Sequence, residues 1–224
     1  MSDAKRKMTF LTADPERKLL RAMAARIPPL IHSDHLTSLG VAGSLGVGVA
    51  YALTTFNPLW LWAASVALVV NWFGDSLDGT LARVRKTERP KYGYYLDHTV
   101  DAFNTVIVGA GIGLSPYVSM ELALVLVVMY LLLSINVYIE TQVYGTFKMG
   151  YGIFGPTEVR SLLILGNVAL YVGVTMSKLT AEGIRQVADW AVVGLASAMF
   201  LLLFMRFAKN LVHFARLEPR PTAK

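Results

Sequence analysis

The chain has 224 residues, a formal net charge of +6 and an apolar fraction of 54%, with charged residues at only 16% against about 25% in soluble domains. A mean hydropathy of +0.49 fits a polytopic membrane protein rather than a soluble one. Cysteine is absent, which excludes disulfides and thiolate metal sites, and the basic excess lies beside hydrophobic runs, which argues for juxtamembrane charge rather than nucleic-acid binding.

In chain order, Asp14–Leu30 ("DPERKLLRAMAARIPPL") reads as an amphipathic surface helix, with Leu19, Leu20, Met23 and Ile27 at helical spacing and basic residues between them. No short apolar stretch followed by a cleavage sequence of small residues precedes the first long apolar run, so no secretory signal peptide is expected. Six hydrophobic windows of spanning length follow, near Leu36–Thr55, Leu59 to beyond Leu81, Leu96–Leu114, Met120–Thr141, Pro156–Ser177 and Val187–Arg206. "FNP" at Phe56–Pro58 is a turn, because Pro58 disfavours helix at Asn57. Gly40, Ser44 and Gly48 place a small residue every fourth position of the first span, a pattern for close helix packing. The expected fold is all-α: an integral membrane bundle of six transmembrane helices with an N-terminal amphipathic surface helix. The expected organisation is a cytoplasmic N-terminal segment (1–32), a six-helix membrane catalytic domain (33–212) and a cytoplasmic basic tail (213–224).

Lysine and arginine set the orientation. Seven precede the first span (Lys5, Arg6, Lys7, Arg17, Lys18, Arg21, Arg26), and five lie between the second and third (Arg83, Arg85, Lys86, Arg89, Lys91). Lys148 and Arg160 lie at the loop before the fifth span, and Arg206, Lys209, Arg216, Arg220 and Lys224 lie at the C-terminal end. The opposite side has only Lys178 and Arg185. Both termini are therefore expected in the cytoplasm, consistent with an even number of spans.

Four aspartates stand at the edges of this apolar sequence: Asp75, Asp78, Asp97 and Asp101. Twenty residues at about 1.5 Å each cross a hydrocarbon core of about 30 Å. Counted from Leu59 and from Leu114, that distance brings both pairs to the cytoplasmic edge of neighbouring antiparallel spans. Spacings of three (Asp75, Asp78) and four (Asp97, Asp101) put each pair on one helix face. Acids at membrane depth are costly and mark function, and hard divalent cations are their natural counter-charge. Four carboxylates offer enough oxygens for two Mg²⁺ or Mn²⁺ ions. The competing structural reading pairs these acids with the basic residues of the 83–91 loop.

The same residues carry a resemblance. Asp75-Ser-Leu-Asp78-Gly79-Thr-Leu-Ala82-Arg83, nine residues, then Gly93-Tyr-Tyr-Leu-Asp97-His-Thr-Val-Asp101 resembles the signature of the CDP-alcohol phosphotransferase family at every fixed position. The resemblance implies transfer of a phospho-alcohol group from a CDP-alcohol donor to an acceptor hydroxyl with release of CMP, in phospholipid biosynthesis. It implies Asp75, Asp78 and Asp97 as metal ligands, and Asp101 as ligand or neighbour and as base for the acceptor proton. Gly79, Ala82, Arg83 and Gly93 would line the donor site, and a homodimer is expected on the same ground alone. CDP-diacylglycerol with a small polar alcohol is the favoured pair; transfer from soluble CDP-choline or CDP-ethanolamine to diacylglycerol is the alternative.

Weaker signals surround the signature. "SDHLT" at Ser33–Thr37 matches a family segment at Leu36 and Thr37 only, leaving Thr37 beside the nucleotide and Ser33 as a helix N-cap as equal readings. "GPTEVR" at Gly155–Arg160 resembles an E-x-R segment, with Arg160 on an acceptor phosphate or paired with Glu158 or Glu140. His98 reads as a hydrogen-bonded bystander. A divalent-cation transporter would need acids at mid-membrane and a route across, and here they lie at one edge. A structural subunit with a relic site would lack a signature aspartate, and none is missing.

Overall fold

In lipid a backbone must satisfy its own hydrogen bonds, and the apolar runs of this chain do so as helices. The computed structural model describes residues 7–8, 13–144, 148–149, 155–176 and 180–220. Among these, the helices are α1 (Ala13–Ala24), α2 (Ser33–Leu53), α3 (Trp60–Arg85), α4 (Pro90–Leu114), α5 (Met120–Tyr144), α6 (Pro156–Met176) and α7 (Ala181–Leu217). Two strands of two residues, β1 (Lys7–Met8) and β2 (Lys148–Met149), pair in parallel.

Each predicted span falls on a helix, and the differences lie at the ends. α4 starts six residues before Leu96, at Pro90, whose missing N–H is harmless in a first turn. α7 starts at Ala181, where the Thr180 hydroxyl accepts from the Gly183 N–H, and runs on to Leu217. A hydropathy window stops at charge; a helix need not. α1 ends at Ala24, short of the predicted Leu30, because Pro28 and Pro29 stop the chain from continuing as helix. At "FNP", the Asn57 side chain accepts from the Leu59 N–H at 2.8 Å and closes the expected turn.

Among the described residues four helices, α2, α5, α6 and α7, are long and apolar enough to cross a membrane. α3 and α4 match them in length, at 26 and 25 residues, but the C-terminal half of α3 and the N-terminal half of α4 carry the aspartates and Arg83, Arg85 and Lys91.

Glycine sets the spacing of the site-bearing helices. A Cβ added at Gly74 of α3 would sit 2.5 Å from the Leu36 carbonyl and 2.7 Å from Gly40 Cα on α2. One added at Gly111 of α4 would sit 2.5 Å from Gly48 Cα. α2 therefore meets α3 through Gly40 and α4 through Gly48, backbone against backbone, as small residues allow in membrane bundles. Val47, Tyr51, Leu61, Leu68, Tyr117, Val118 and Ile184 fill one core. A second core joins Leu20 and Ala24 of α1 to Leu36, Leu77 and Leu81. In α1, Leu20 is buried and Met23 packs beside it, as does Ile27 just beyond the helix, while Leu19 faces out.

Candidate active site

Because α2 packs tightly on both α3 and α4, it fixes how far apart their aspartate-bearing halves stand. Across that separation Asp75 of α3 and Asp97 and Asp101 of α4 each bring one carboxylate oxygen within 4.8 Å of the others. All three are half-buried. Three clustered carboxylates require positive charge, and Arg160 of α6 supplies some: its Nη2 lies 2.6 Å from Asp75 Oδ2. Arg160 Nε donates to Asn71 Oδ1 at 2.8 Å, and Asn71 Nδ2 donates to the Gly40 carbonyl and to Ser44 Oγ, each at 2.9 Å. The buried Asn71 thus connects α2, α3 and α6 directly below the acids. Hard carboxylate oxygens at this mutual distance form a donor set that could hold a divalent metal ion.

Asp78 stands apart from this cluster. Its Oδ2 accepts from Thr37 Oγ1 of α2 at 2.6 Å, and its Oδ1 accepts from the Gly79 N–H. The structure therefore brings three of the four signature aspartates together and shows Thr37 holding the fourth. Gly79 and Ala82 are half-buried, and Arg83 is exposed, its Nη2 donating to Thr80 Oγ1 at 3.0 Å. A Cβ at Gly79 would lie 3.3 Å from Arg83 Nη1, so the guanidinium covers that glycine. Gly93 is exposed, and a Cβ there would meet nothing within 4 Å.

The geometry gives partners to several of the residues with alternative readings. The N-cap of α2 is His32, whose N–H donates to His35 Nδ1, while Ser33 lies inside the first turn. Arg160 pairs with Asp75 rather than with Glu140, which instead binds Arg206 and Asn210 of α7. In the 83–91 loop, Arg89 pairs with Asp34, whose hydrogen bond and charge raise the guanidinium pKa further. Arg85 donates to the carbonyls of Ile27, Pro28 and Ile31. His98 Nδ1 lies 3.3 Å from Asp97 Oδ2, with its ring between those of Tyr94 and Tyr138.

The sequence profile of CDP-alcohol phosphatidyltransferases matches residues 30–215. The chain belongs to the CDP-alcohol phosphatidyltransferase family. That membership and the long apolar helices make it an integral membrane protein. The chain is also 33% identical over 81 residues to a phosphatidylinositol phosphate synthase from Cutibacterium acnes (strain DSM 16379 / KPA171202). That match covers 36% of this chain and 37% of the relative, so the chain spans little more than a third of the relative's length.

Two residues at the site were not singled out by sequence for the part they play. One is Asn71, for which an amide side chain in the largely apolar run from Leu59 to Phe73 was the available signal. Asn104, one turn beyond Asp101 on the same face, is buried with an Oδ1 that has no hydrogen-bond partner among the described residues.

Proposed function

We propose that the transferase moves the phosphatidyl group of CDP-diacylglycerol to the hydroxyl of a small polar alcohol and releases CMP. In this reading α2 to α7 are six spans, α1 is an amphipathic helix on the cytoplasmic surface, and both termini and the site face the cytoplasm across the inner membrane. The catalytic unit is residues 33–212, between the 1–32 segment and the 213–224 tail, and the working form is a homodimer. Asp75, Asp78, Asp97 and Asp101 would hold Mg²⁺ or Mn²⁺, two ions in all, and the hard oxygen donors fit such cations. When bound, the ions neutralise pyrophosphate charge and the charge that builds on departing CMP.

The chain's own residues supply the rest. Gly79 and Ala82 leave room for the nucleotide against α3. Arg83, exposed and lying over Gly79, donates to a donor phosphate. Gly93 and Thr37 complete the donor side, Thr37 by orienting Asp78. Asp101 removes the acceptor proton as the acceptor oxygen attacks the phosphorus that carries the diacylglycerol. The bond between that phosphorus and the oxygen of CMP breaks, and CMP departs with the electron pair. Arg160 holds a phosphate on the acceptor, a role that agrees with a relative named for phosphatidylinositol phosphate synthesis.

The observation that carries this reading is the convergence of Asp75, Asp97 and Asp101, three residues of one signature, at a single point beside Arg160. The test is to incubate the purified protein with CDP-diacylglycerol, Mn²⁺ and a panel of alcohols and phosphorylated polyols. Formation of CMP and a new lipid is expected. Turnover only with CDP-choline or CDP-ethanolamine and diacylglycerol would replace the donor assignment, and no turnover with either class would refute the reading.

A further inference from the structure

α6 carries Arg160, yet among its residues only Asn167 is buried. Its Leu162, Leu165 and Val172 face outward. Lipid tails are as apolar as such side chains, so apolar contact alone does not fix the height or rotation of α6 against α3; polar contacts must. They lie along one stripe. At one end Asn167 accepts from Tyr51 and donates to Ser65. In the middle Arg160 binds Asn71 and Asp75. At the other end the Thr157 hydroxyl donates to Glu16 Oε1 at 2.8 Å.

Glu16 belongs to α1, and the same oxygen accepts from Trp72 Nε1 of α3 at 2.7 Å. Thr157 stands three residues before Arg160, one helical turn away on the same face. Trp72 follows Asn71 directly. One carboxylate thus joins the two helix segments that form the Arg160–Asn71–Asp75 junction. It is itself held in place: Leu20 and Ala24 pack α1 on Leu77 and Leu81. Beyond α1, Arg85 binds the carbonyls of Ile27 at 2.8 Å, Pro28 at 2.9 Å and Ile31 at 2.5 Å. Apolar packing would suffice to rest a helix on the bundle. A bond from each of two other helices to one oxygen also sets their register.

We propose that Glu16 is a positioning residue: through Thr157 and Trp72 it fixes the register of α6 against α3 and so keeps Arg160 on Asp75. The proposal rests on reading Arg160 and Asp75 as site residues, but its physical readout does not. The chain lacks cysteine, so nitroxide labels can be placed singly at exposed Val159 on α6 and Val69 on α3. Pulsed EPR in lipid nanodiscs then reports their separation, and kinetics use CDP-diacylglycerol with glycerol 3-phosphate or inositol phosphate.

Glu16→Ala and Thr157→Val are expected to broaden or shift the label distance and to lower kcat/KM for the acceptor about tenfold, as small misplacements do. KM for CDP-diacylglycerol should stay unchanged. Glu16→Gln, whose amide oxygen still accepts both bonds, should behave as wild type, and Thr157→Ser should restore what Thr157→Val loses. An unchanged distance, an unchanged acceptor kcat/KM, or a Glu16→Gln variant as impaired as Glu16→Ala overturns the proposal. So does a loss confined to thermal stability. If Glu16→Ala does not fold, Thr157→Val and Trp72→Phe carry the same test. If wild type shows no turnover with these acceptors, the reading of Arg160 as holding an acceptor phosphate fails while the distance measurement still decides the tie.

Discussion

Replacing Gly74 with alanine tests whether backbone contact between α2 and α3 positions the site. The new methyl would lie 2.5 Å from the Leu36 carbonyl oxygen and 2.7 Å from Gly40 Cα, where about 3.5 Å or more is comfortable. The helices must separate by roughly 1 Å, and overpacking of this kind costs about 1–3 kcal/mol. Alanine's better helix propensity offsets about 0.5–1 kcal/mol of that, leaving a net loss near 1–2 kcal/mol. Gly74 immediately precedes Asp75, so the same movement displaces a carboxylate of the cluster, and a shift of about 1 Å in a reacting group lowers turnover by about 10²-fold. Thermal unfolding and CMP release from CDP-diacylglycerol, both in nanodiscs, measure the two effects. Gly166→Ala is the control, because its Cβ would meet nothing within 4 Å; it should be as active as wild type and slightly more stable. A Gly74→Ala protein as stable and active as the Gly166→Ala protein would refute the reasoning.

Asp101→Asn should retain CDP-donor binding and lose about 10²–10⁴-fold in single-turnover rate, the usual reach of a positioned base; joint loss of donor affinity would instead make Asp101 chiefly a ligand. Gly93→Ala should fold normally, since space is open around it, and weaken donor binding; unchanged donor affinity removes Gly93 from the donor site. Lys86 ends α3 with φ 57°, a left-handed cap in which Thr87 N–H reaches the Ala82 carbonyl. Lys86→Gly should therefore raise stability by about 1 kcal/mol in thermal unfolding without changing turnover, and a lower melting temperature would contradict this.

What was legible in the sequence follows from periodicity and hydropathy. Asp97 and Asp101 were readable as one face because a spacing of four needs no knowledge of neighbours. The spans were readable because about twenty apolar residues leave few alternatives to a helix. Their ends were not, since α4 and α7 continue into polar sequence where hydropathy loses its signal. Asp78 was read with Asp75 from spacing, but Thr37 and its own helix's Gly79 N–H satisfy it locally, and spacing does not weigh such partners. The Arg160–Asp75 contact joins residues 85 apart, and the Glu16 contacts join residues 56 and 141 apart. No local pattern announces such pairs, because they depend on how whole helices are placed.

The glycine contacts of α2 carry a consequence for the membrane around the protein. Where helices meet through interdigitated side chains, a thicker or thinner bilayer can be accommodated by tilt, with rotamers adjusting at the contact. Main chain pressed on main chain at Gly40–Gly74 and Gly48–Gly111 leaves no rotamer to adjust. α2, α3 and α4 must then tilt together, and the distances among Asp75, Asp97 and Asp101 stay constant while the trio leans. Acyl-chain length should therefore be felt mainly by the outward-facing α6 and α7, and the spacing of the carboxylates should be the same in short-chain and long-chain lipid.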